Sequence, residues 1–565
     1  MASLLSRFVS QSDFSSYDDF IANFKVSYPE NFNFAYDVVD VYAEEQPNKR
    51  ALVWCDDNGG DECFTFADMR NYSNRVANAF RRLGIGKGDT VMLISKGRYE
   101  FWFCLLALHK LGAVAIPATH LMTRGDIVYR LREAEIKMVV SVDSDFLLEQ
   151  VDAAQEVFGD YLKTKVCLSS GHREGWLNFN NEIEHESEAF ERVETHVKER
   201  MFLYFTSGTT GHPKMVQHNF AYPLGHITTA KYWQCVVDDG LHYTVSDTGW
   251  AKAVWGKIYG QWIAGSAVFA HDYDRFQITT TLRRIADYKV TTFCAPPTVY
   301  RLIIRQDISK YDLSALQHCA SAGEALEPEV FQRFFEMTGL KMFEGYGQTE
   351  LTLTVGTFPW MEPKPGSIGK PSVGYDLRLL DLNDEEVPQG EEGEIAIYTG
   401  NGLPLGMFEG YYRDTELTDR VWYNDFYRTG DVARMDEDGY IWYVGRSDDL
   451  IKSAGYRIGP YEVESVLIKH PSVQECAVTG VPDKKRGQLI KATVILAEGF
   501  LPSKKLELEL REFVKSVTSS YKCPRVIEFV KELPKTISGK IRRVALREKD
   551  QQQDHPPVDG NIAGA

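Results

Sequence analysis

A short loop rich in hydroxyl groups and glycine is the segment of this chain whose chemistry is clearest. It follows an apolar run, and it places four hydroxyls, two glycines and a lysine within the nine residues from Thr206 to Lys214. Glycines let backbone N–H groups approach an anion, the hydroxyls donate hydrogen bonds, and the lysine adds a positive charge. The pattern predicts a phosphate-binding loop formed by Thr206, Ser207, Gly208, Thr209, Thr210, Gly211 and Lys214.

Other chemical interpretations fit less well. The loop lacks the GxxxxGK[ST] spacing of a Walker A motif, which leaves an ordinary polar turn as its simple alternative. Gly400–Gly402 is only part of a dinucleotide-binding glycine pattern, and Pro404 follows it in a β-rich region, so a dehydrogenase is not favoured. His212 and His218 lie near the loop without a partner for a catalytic triad, and His212 is most simply a turn residue.

The segments around this loop alternate between short apolar runs and helical patterns. Val91–Ser95 and Ala113–Ala118 flank a helical pattern over Arg98–Leu111, and the alternation recurs over Thr281–Ala322. This order predicts βαβ units and a largely parallel sheet. From Tyr375 onwards the apolar runs are short and separated by turn residues, which is typical of a small β-rich module.

The carboxyl-terminal part has a different pattern of predicted helices and strands. The first body is expected to end near Gly445, and beyond it predicted helices over Pro460–His470 and Leu506–Val517 alternate with short strands, which favours a compact α+β unit. Gln551–Ala565 is rich in Gln, Pro, Asp and Gly and is predicted to be a flexible tail.

Composition excludes several classes of protein. The chain has 565 residues, 44% of them hydrophobic and 25% charged, with a net charge of -17, which opposes nonspecific binding to nucleic acid or anionic membranes. Nine scattered cysteines without a CxxC pair favour a reducing compartment. Met1–Asp13 has no apolar core of export-signal length, and Phe101–Ala118 contains His109 and Lys110, so we expect a cytoplasmic protein without membrane insertion.

Seven ordered motifs resemble the signatures of the adenylate-forming (AMP-binding) superfamily, which includes acyl-CoA synthetases, luciferases and the adenylation domains of peptide synthetases. After the loop that ends at Lys214, they are Ser321–Ala325, Glu344–Glu350, Tyr427–Asp431, Gly445–Asp449, Ser453–Gly459 and Pro534–Lys540. The resemblance extends from about residue 35 to 545.

This resemblance implies an α/β fold with a large N-terminal domain of two αβ subdomains and a β-rich subdomain, followed by a small mobile α+β domain. The corresponding boundaries are 1–445 for the N-terminal domain, 446–550 for the mobile domain and 551–565 for the flexible tail. Asp448 is predicted to be the hinge about which the small domain rotates between two half-reactions.

In this superfamily a carboxylate attacks the α-phosphorus of ATP, and a thiol then displaces AMP from the acyl-adenylate. The resemblance implies that Lys540 bridges the carboxylate and the α-phosphate, that Thr349 holds the α-phosphate, and that Glu350 positions Mg²⁺. Asp431 would accept both ribose hydroxyls. The ATP or AMP site implied in this way comprises the phosphate loop with Gly323, Glu324, Ala325, Glu344, Gly345, Tyr346, Gly347, Gln348, Thr349, Asp431, Arg446, Arg457 and Lys540.

The co-substrates implied by the resemblance are CoA and a carboxylic acid. The predicted CoA contacts are Ala454, Gly455, Tyr456, Arg486, Lys515 and Cys523, and solvated surface side chains are the alternative for Arg486 and Lys515. The predicted acyl pocket comprises Trp250, Trp255, Tyr259 and Gly347, and core aromatics are the alternative for the three rings.

The chain is identified as similar to medium-chain acyl-CoA synthetases. Acetate-specific members have a tryptophan where this chain has Gly347, and loss of that indole predicts a deeper pocket for a medium-chain, branched short-chain or aromatic acid. Lys252 and Lys257 depart from the apolar residues of medium-chain relatives, which leaves the acid open. A stand-alone adenylation protein that loads an amino or aryl acid onto a carrier protein is the alternative. A homodimer stays open as the oligomeric state.

Overall fold

The structure is a computed structural model. It describes residues 4–169, 171–206, 213–454, 456–483, 485–535 and 541–552. Packing divides the chain into unit 1, which comprises Met1–Asp376 and Tyr398–Tyr427, and unit 2, which comprises Leu377–Ile397 and Arg428–Ala565. By this criterion most of the β-rich module belongs to the same unit as the carboxyl-terminal part. The boundary between the N-terminal domain and the mobile domain after residue 445 stays a prediction.

Helices and strands alternate through most of unit 1. Its first elements are α1 (Tyr17–Asn23), α2 (Val41–Glu45), β1 (Arg50–Asp56), β2 (Asp61–Thr65), α3 (Phe66–Arg82), β3 (Thr90–Ile94), α4 (Glu100–Leu111), β4 (Val114–Pro117), α5 (Arg124–Glu133), β5 (Met138–Val142), α6 (Asp145–Val157), β6 (Thr164–Leu168), β7 (Leu177–Asn178), α7 (Phe179–Ile183), β8 (Arg200–Thr206) and β9 (Lys214–Asn219). They are followed by α8 (Tyr222–Ile227), β10 (Leu241–Thr244), α9 (Ala251–Gly256), α10 (Tyr259–Ile263), β11 (Ala267–Asp272), α11 (Ile278–Asp287), β12 (Thr292–Ala295), α12 (Pro297–Ile303), β13 (His318–Ala322), α13 (Pro328–Thr338), β14 (Met342–Tyr346), β15 (Val355–Gly356) and β16 (Lys370–Pro371).

The remaining elements are shared between the end of unit 1 and unit 2. They are β17 (Asp376–Leu380), β18 (Glu392–Tyr398), α14 (Thr415–Val421), β19 (Trp422–Tyr423), β20 (Phe426–Met435), β21 (Ile441–Arg446), β22 (Ile451–Ser453), β23 (Tyr456–Ile458), α15 (Pro460–Leu467), β24 (Val473–Asp483), β25 (Gly487–Leu496), α16 (Lys504–Val517), β26 (Val526–Val530) and α17 (Arg543–Gln552).

The first sheet of unit 1 has seven strands in the order β7-β6-β5-β3-β4-β8-β9. Its strands are parallel except where β9 runs antiparallel to β8. Every residue of β3 and β5 is buried, as expected of parallel strands covered on both faces. Every residue of α4 is also buried, and Gly112 ends this helix in the left-handed region with a φ of 68°. The helix and strand predicted within Phe101–Ala118 are thus confirmed.

The second sheet of unit 1 has nine strands in the order β16-β15-β14-β13-β12-β10-β11-β1-β2. Its central strands from β14 to β1 are parallel, and only the strands at its two edges run antiparallel to their neighbours. A core that includes Tyr243, Phe269, Phe293, Tyr300 and Phe334 packs against this sheet. The carboxyl ends of β13 and β14 lie side by side, because Ala322 pairs with Gly345.

Unit 2 contains two smaller sheets. One is formed by most of β17, β18 and β20 together with β21, and the other has the order β23-β22-β25-β24 with β26 parallel to β25. A core from Ile451 to Ile527 joins the second sheet to α15 and α16. Two αβ sheets in unit 1, a β-rich sheet and a small α+β body together confirm the predicted fold class.

Candidate active site

The predicted phosphate loop is the connection between two paired strands of the seven-stranded sheet. Thr206 is the last residue of β8 and pairs with Lys214, the first residue of β9. The hairpin brings the two ends of the loop together, so the Thr206 hydroxyl and the Lys214 ammonium belong to one small region. Ser207, Gly208, Thr209, Thr210 and Gly211 lie outside the described residues, and their predicted role stays a prediction.

Lys214 also connects the loop to the motif that follows β14. Its Nζ lies 5.1 Å from the centre of the Tyr411 ring, and the Tyr411 hydroxyl donates a 2.7 Å hydrogen bond to Oε1 of Glu350. Glu350 is buried, with 8% of its surface exposed. Two motifs more than a hundred residues apart in sequence therefore meet through one tyrosine. The sequence analysis did not select Tyr411, because it belongs to none of the seven motifs.

The segments that the resemblance assigns to the adenine ring, Ser321–Ala325 and Glu344–Tyr346, contain the carboxyl ends of two neighbouring parallel strands. Gly323–Ala325 comes directly after β13, and Gly347–Thr349 comes directly after β14. The carboxyl edge of a parallel sheet is the usual ligand-binding edge of an open α/β fold. Glu324 lies 3.3 Å from Arg301, and Tyr346 to Thr349 are only partly buried, so this edge is open to solvent. The Gln348 amide oxygen accepts a 2.8 Å hydrogen bond from the Tyr427 hydroxyl.

Glu344 lies beneath this edge with 4% of its surface exposed. The backbone N–H of Leu326 donates a 2.9 Å hydrogen bond to its Oε1. Burial, with a smaller contribution from the charge of Glu327, raises the pKa of Glu344 well above its ordinary value. This carboxyl therefore ties the loop after β13 to β14 as an internal support, and its place in the nucleotide site stays a prediction.

We expect the change Glu344→Gln to raise the melting temperature more at pH 8 than at pH 5. The folded-state pKa of Glu344 is raised, so the stability that this group contributes is complete below its unfolded-state pKa near 4.5 and is lost as the pH rises toward the folded-state value. Glutamine does not titrate. Thermal unfolding of both proteins at the two pH values measures the difference, with exposed Glu336→Gln as control. An equal change in melting temperature at both pH values would contradict this assignment.

The predicted acyl pocket contains one unexpected packing arrangement. A Cβ atom added at Gly347 would lie 2.4 Å from a ring carbon of Trp255 and 2.3 Å from the carbonyl oxygen of Thr352. The indole of Trp255 thus occupies the space beside Gly347. A tryptophan from α9 therefore lies directly beside this glycine, and the deeper acyl pocket inferred from Gly347 stays a prediction.

The other predicted pocket residues divide into two groups. Trp250 is half-buried directly before α9. Tyr259 is completely buried, and its hydroxyl forms a 2.7 Å hydrogen bond with Nε2 of His109. Its ring packs at right angles to Phe34. Tyr259 is therefore a core aromatic, which was the alternative interpretation of its position.

Lys252 and Lys257, the two unusual residues of the pocket segment, also have different surroundings. The Lys252 ammonium donates to the carbonyl of Ala322, and it lies 3.4 Å from a Cβ built at Gly323. Lys257 has 4% of its surface exposed, and burial lowers its pKa to about 8. Lys252 thus belongs to the edge that carries the adenine-binding segment.

Asp431 of unit 2 lies among groups that orient its carboxylate. The Tyr443 hydroxyl donates a 3.0 Å hydrogen bond to Oδ1, and a guanidinium nitrogen of Arg446 lies 3.7 Å from Oδ2. The same guanidinium donates to the Thr429 carbonyl at 3.1 Å. Asp448, the predicted hinge, is exposed and lies 3.4 Å from Arg446. Tyr443 was not found from the sequence, because no motif includes it.

Two predicted CoA contacts come together in unit 2. The backbone N–H of Ala454 donates a 2.9 Å hydrogen bond to the carbonyl of Arg486, whose residue is exposed. Ala454 has a φ of 51°, a conformation that non-glycine residues seldom adopt. Exposed Tyr456 stacks on Tyr521 with the ring centres 4.3 Å apart. These residues form an exposed hairpin surface at β22 and β23.

The other predicted CoA residues in unit 2 have different surroundings. Lys515 lies on α16, where it pairs with Glu512 at 2.6 Å. Cys523 has 3% of its surface exposed and belongs to the hydrophobic core of unit 2, and burial raises the pKa of its thiol. Cys523 therefore does not fit the predicted surface contact. Gly455, Lys540 and the side chain of Arg457 lie outside the described residues.

Solved structures of two CoA ligases are similar to this fold. The anthranilate CoA ligase AuaEII, solved with anthranoyl-AMP, has a TM-score of 0.85 and 31% identity, covering 93% of this chain and 98% of that chain. A benzoate CoA ligase from Burkholderia xenovorans has a TM-score of 0.80 and 27% identity, covering 91% and 100% of the two chains.

Curated relatives match the chain over nearly its whole length. Acyl-coenzyme A synthetase ACSM3 from Mus musculus is 40% identical, covering 96% of this chain and 95% of the relative. Acyl-coenzyme A synthetase ACSM4 from Rattus norvegicus is 41% identical, covering 92% and 91%.

The predicted cytoplasmic location is wrong by this comparison, because both relatives are named as mitochondrial proteins. The cytoplasmic expectation rested on the lack of an apolar export signal in Met1–Asp13, whereas mitochondrial transit peptides are amphipathic and rich in arginine. Separately, none of the helices within the described ranges combines the length and apolar character needed to cross a bilayer.

Family models cover both parts of the chain. The model described as AMP-binding enzyme matches residues 39–412, and the model described as AMP-binding enzyme C-terminal domain matches residues 462–540. The first alone covers more than half of the chain, and all seven motifs lie in or between these two ranges in the predicted order. The chain therefore belongs to the AMP-binding enzyme family.

Proposed function

We propose that this chain activates a medium-chain, branched short-chain or aromatic acid with ATP and transfers the acyl group to CoA. In the first step a carboxylate oxygen bonds to the α-phosphorus of ATP and the bond to pyrophosphate breaks. In the second step the CoA sulfur bonds to the acyl carbon, its proton leaves, and AMP departs. Acyl-CoA synthetase activity, predicted from the sequence, is confirmed by relatives at 40–41% identity over almost their full length.

The contact between Lys214, Tyr411 and Glu350 is the observation that carries this proposal for the chain's own residues. It joins the end of the phosphate loop to the motif after β14. Lys214 and Thr206 would bind the β- and γ-phosphates, and Thr349 would bind the α-phosphate at the open edge of the sheet. Charged and hydroxyl donors placed in advance stabilise the charge that develops on phosphoryl oxygens.

Glu350 has the properties expected of a residue that helps to hold Mg²⁺. Its Oε1 atom accepts a hydrogen bond from the Tyr411 hydroxyl, beside Lys214 at the end of the phosphate loop. Mg²⁺ is commonly held by one or two carboxylates together with substrate phosphates and water, so a single carboxylate is sufficient. When bound, the ion would neutralise phosphate charge.

In unit 2, Asp431 would accept the ribose hydroxyls. Tyr443 and Arg446 orient its carboxylate, and a fixed carboxylate can accept two hydroxyl donors. Ala454, Tyr456 and Arg486 would contact CoA from the exposed hairpin. The homodimer stays a prediction that light scattering of the purified protein would test.

The acyl substrate depends on the space near Trp250 and Trp255. Because Trp255 occupies the volume beside Gly347, we propose that the acid extends past the Trp255 indole toward the half-buried Trp250. The two ligases of aromatic acids with similar folds support the inclusion of aromatic acids among the candidates.

We expect pyrophosphate release to be greatest with an acid of four to eight carbons, a branched acid or benzoate, and to require CoA for continued turnover. The assay compares acetate, butyrate, isobutyrate, 2-methylbutyrate, hexanoate, octanoate, benzoate and a pool of amino acids, each with and without CoA. A maximum on amino acids that CoA does not stimulate would instead identify an enzyme that loads a carrier protein. A maximum on acetate would contradict the pocket assignment.

A further inference from the structure

A buried histidine outside the seven motifs contacts the backbone of Thr349. His218 lies on β9, four residues after Lys214, with 1% of its surface exposed. Its Nε2 atom lies 2.7 Å from the carbonyl oxygen of Thr349. His218 has no triad partner in the sequence, but the fold brings it directly to the backbone of Thr349, the residue proposed to contact the α-phosphate.

The chemistry of this contact determines where the His218 proton resides. A carbonyl oxygen only accepts hydrogen bonds, so Nε2 carries hydrogen and donates. Burial lowers the pKa of His218 to about 4, which keeps the ring neutral and leaves Nδ1 without hydrogen. Nδ1 is buried, and no described residue bonds to it. The neutral ring therefore acts as a hydrogen-bond donor to the Thr349 carbonyl.

Aromatic rings hold His218 in this orientation. It stacks on Tyr222 with ring centres 3.9 Å apart, and the Tyr222 ring meets His226 edge-on at 4.7 Å. The centre of the His226 ring lies 6.1 Å from that of Trp255, which fills the space beside Gly347. The row of four buried rings thus begins with His218 at Thr349 and ends with Trp255 at Gly347.

We propose that His218 is a positioning residue for adenylation, because its Nε2–H holds the Thr349 peptide so that the threonine hydroxyl meets the α-phosphate and the attacking carboxylate. This role rests on the proposed function. It assigns His218 no contact with substrate and no proton transfer. A displacement of a reacting or binding group by about 1 Å can lower the rate about 100-fold. Loss of the one hydrogen bond that fixes the Thr349 peptide can therefore lower the rate of adenylation measurably.

Two variants separate the hydrogen bond from the ring packing. His218→Phe keeps a ring to stack on Tyr222 but removes the donor, whereas His218→Gln places an amide donor at the position of Nε2 without the ring. We expect His218→Phe to lower kcat for acid-dependent pyrophosphate release by about 10- to 100-fold, with KM for ATP changed less than about threefold. We expect His218→Gln to recover most of this rate. His470→Phe, which removes a buried histidine from unit 2, controls for the loss of a buried imidazole.

A double-mutant cycle with Thr349→Val tests whether His218 acts through Thr349. If it does, His218→Phe lowers the rate much less in the Thr349→Val background than in the wild type, because the hydroxyl to be positioned is already absent. Equal loss in both backgrounds, or a better rate for His218→Phe than for His218→Gln, would overturn the proposal. Thioester formation from supplied acyl-AMP should change little in either variant.

The wild-type reaction distinguishes failure of this inference from failure of the proposed function. A wild type that adenylates an acid, together with a His218→Phe variant that does so at the same rate, overturns the role of His218 alone. A wild type that releases no pyrophosphate with any acid overturns the proposed function and this role together.

Discussion

Replacement of Lys540 by alanine is expected to abolish acyl-adenylate formation while largely sparing thioester formation from supplied acyl-AMP. The resemblance places this lysine between the attacking carboxylate and the α-phosphate, where its charge offsets the negative charge that accumulates in the first step. Removing one such preorganised donor typically costs about 100- to 1,000-fold in kcat. Pyrophosphate release measures the first half-reaction, and acyl-CoA formed from synthetic acyl-AMP measures the second.

Lys535→Ala is the matched control, since Lys535 belongs to the same motif and its ammonium lies 2.8 Å from Glu475 on the protein surface. An exposed ion pair of this kind contributes little to stability, so the control should retain both half-reactions. If Lys540→Ala slows both half-reactions equally, the lysine does not have this role.

Replacement of Trp255 by alanine is expected to move acyl preference toward longer acids. The indole fills the space beside Gly347, so its removal opens a volume that extra methylene groups can occupy. Each methylene accommodated in an apolar pocket changes selectivity by about 1–3 kcal/mol, or about 10- to 200-fold. We therefore expect the ratio of kcat/KM for octanoate over butyrate to rise at least about tenfold.

The loss of folding stability expected for Trp255→Ala requires a smaller substitution at the same position. Truncating a buried tryptophan to alanine costs about 3–5 kcal/mol, so Trp255→Phe is measured in parallel as a smaller change. It should shift the same ratio by an intermediate amount. Trp262→Phe alters a fully buried tryptophan whose indole N–H bonds to the Ala51 carbonyl, and it should lower stability without changing the ratio. An unchanged ratio in both Trp255 variants would remove Trp255 from the acyl pocket.

Local sequence patterns were sufficient for the fold class and for much of the secondary structure. The apolar run at Val91–Ser95 corresponds to β3 at Thr90–Ile94, and the helical pattern at Arg98–Leu111 corresponds to α4 at Glu100–Leu111. Such patterns are local, because periodic burial is imposed on neighbouring residues of one element. The order of the motifs was sufficient for the family in the same way, since each motif is a short continuous segment.

Contacts between distant segments could not be predicted in this way. Tyr411 reaches Glu350, and His218 reaches the Thr349 carbonyl, although neither residue belongs to a recognised motif. The pocket also illustrates this limit. The sequence showed that Gly347 lacks a side chain, but only the packing of α9 showed that Trp255 fills the space.

By itself, the sequence determined the family and the reaction, because both follow from short segments whose chemistry is local. The tertiary structure decided which similar residues serve the site and which serve the core. Tyr259 and Cys523 carry suitable chemistry for binding, but both are buried in hydrophobic cores. Burial depends on how whole elements pack together. A side chain's type therefore indicates what it can do, and only the fold decides what it can reach.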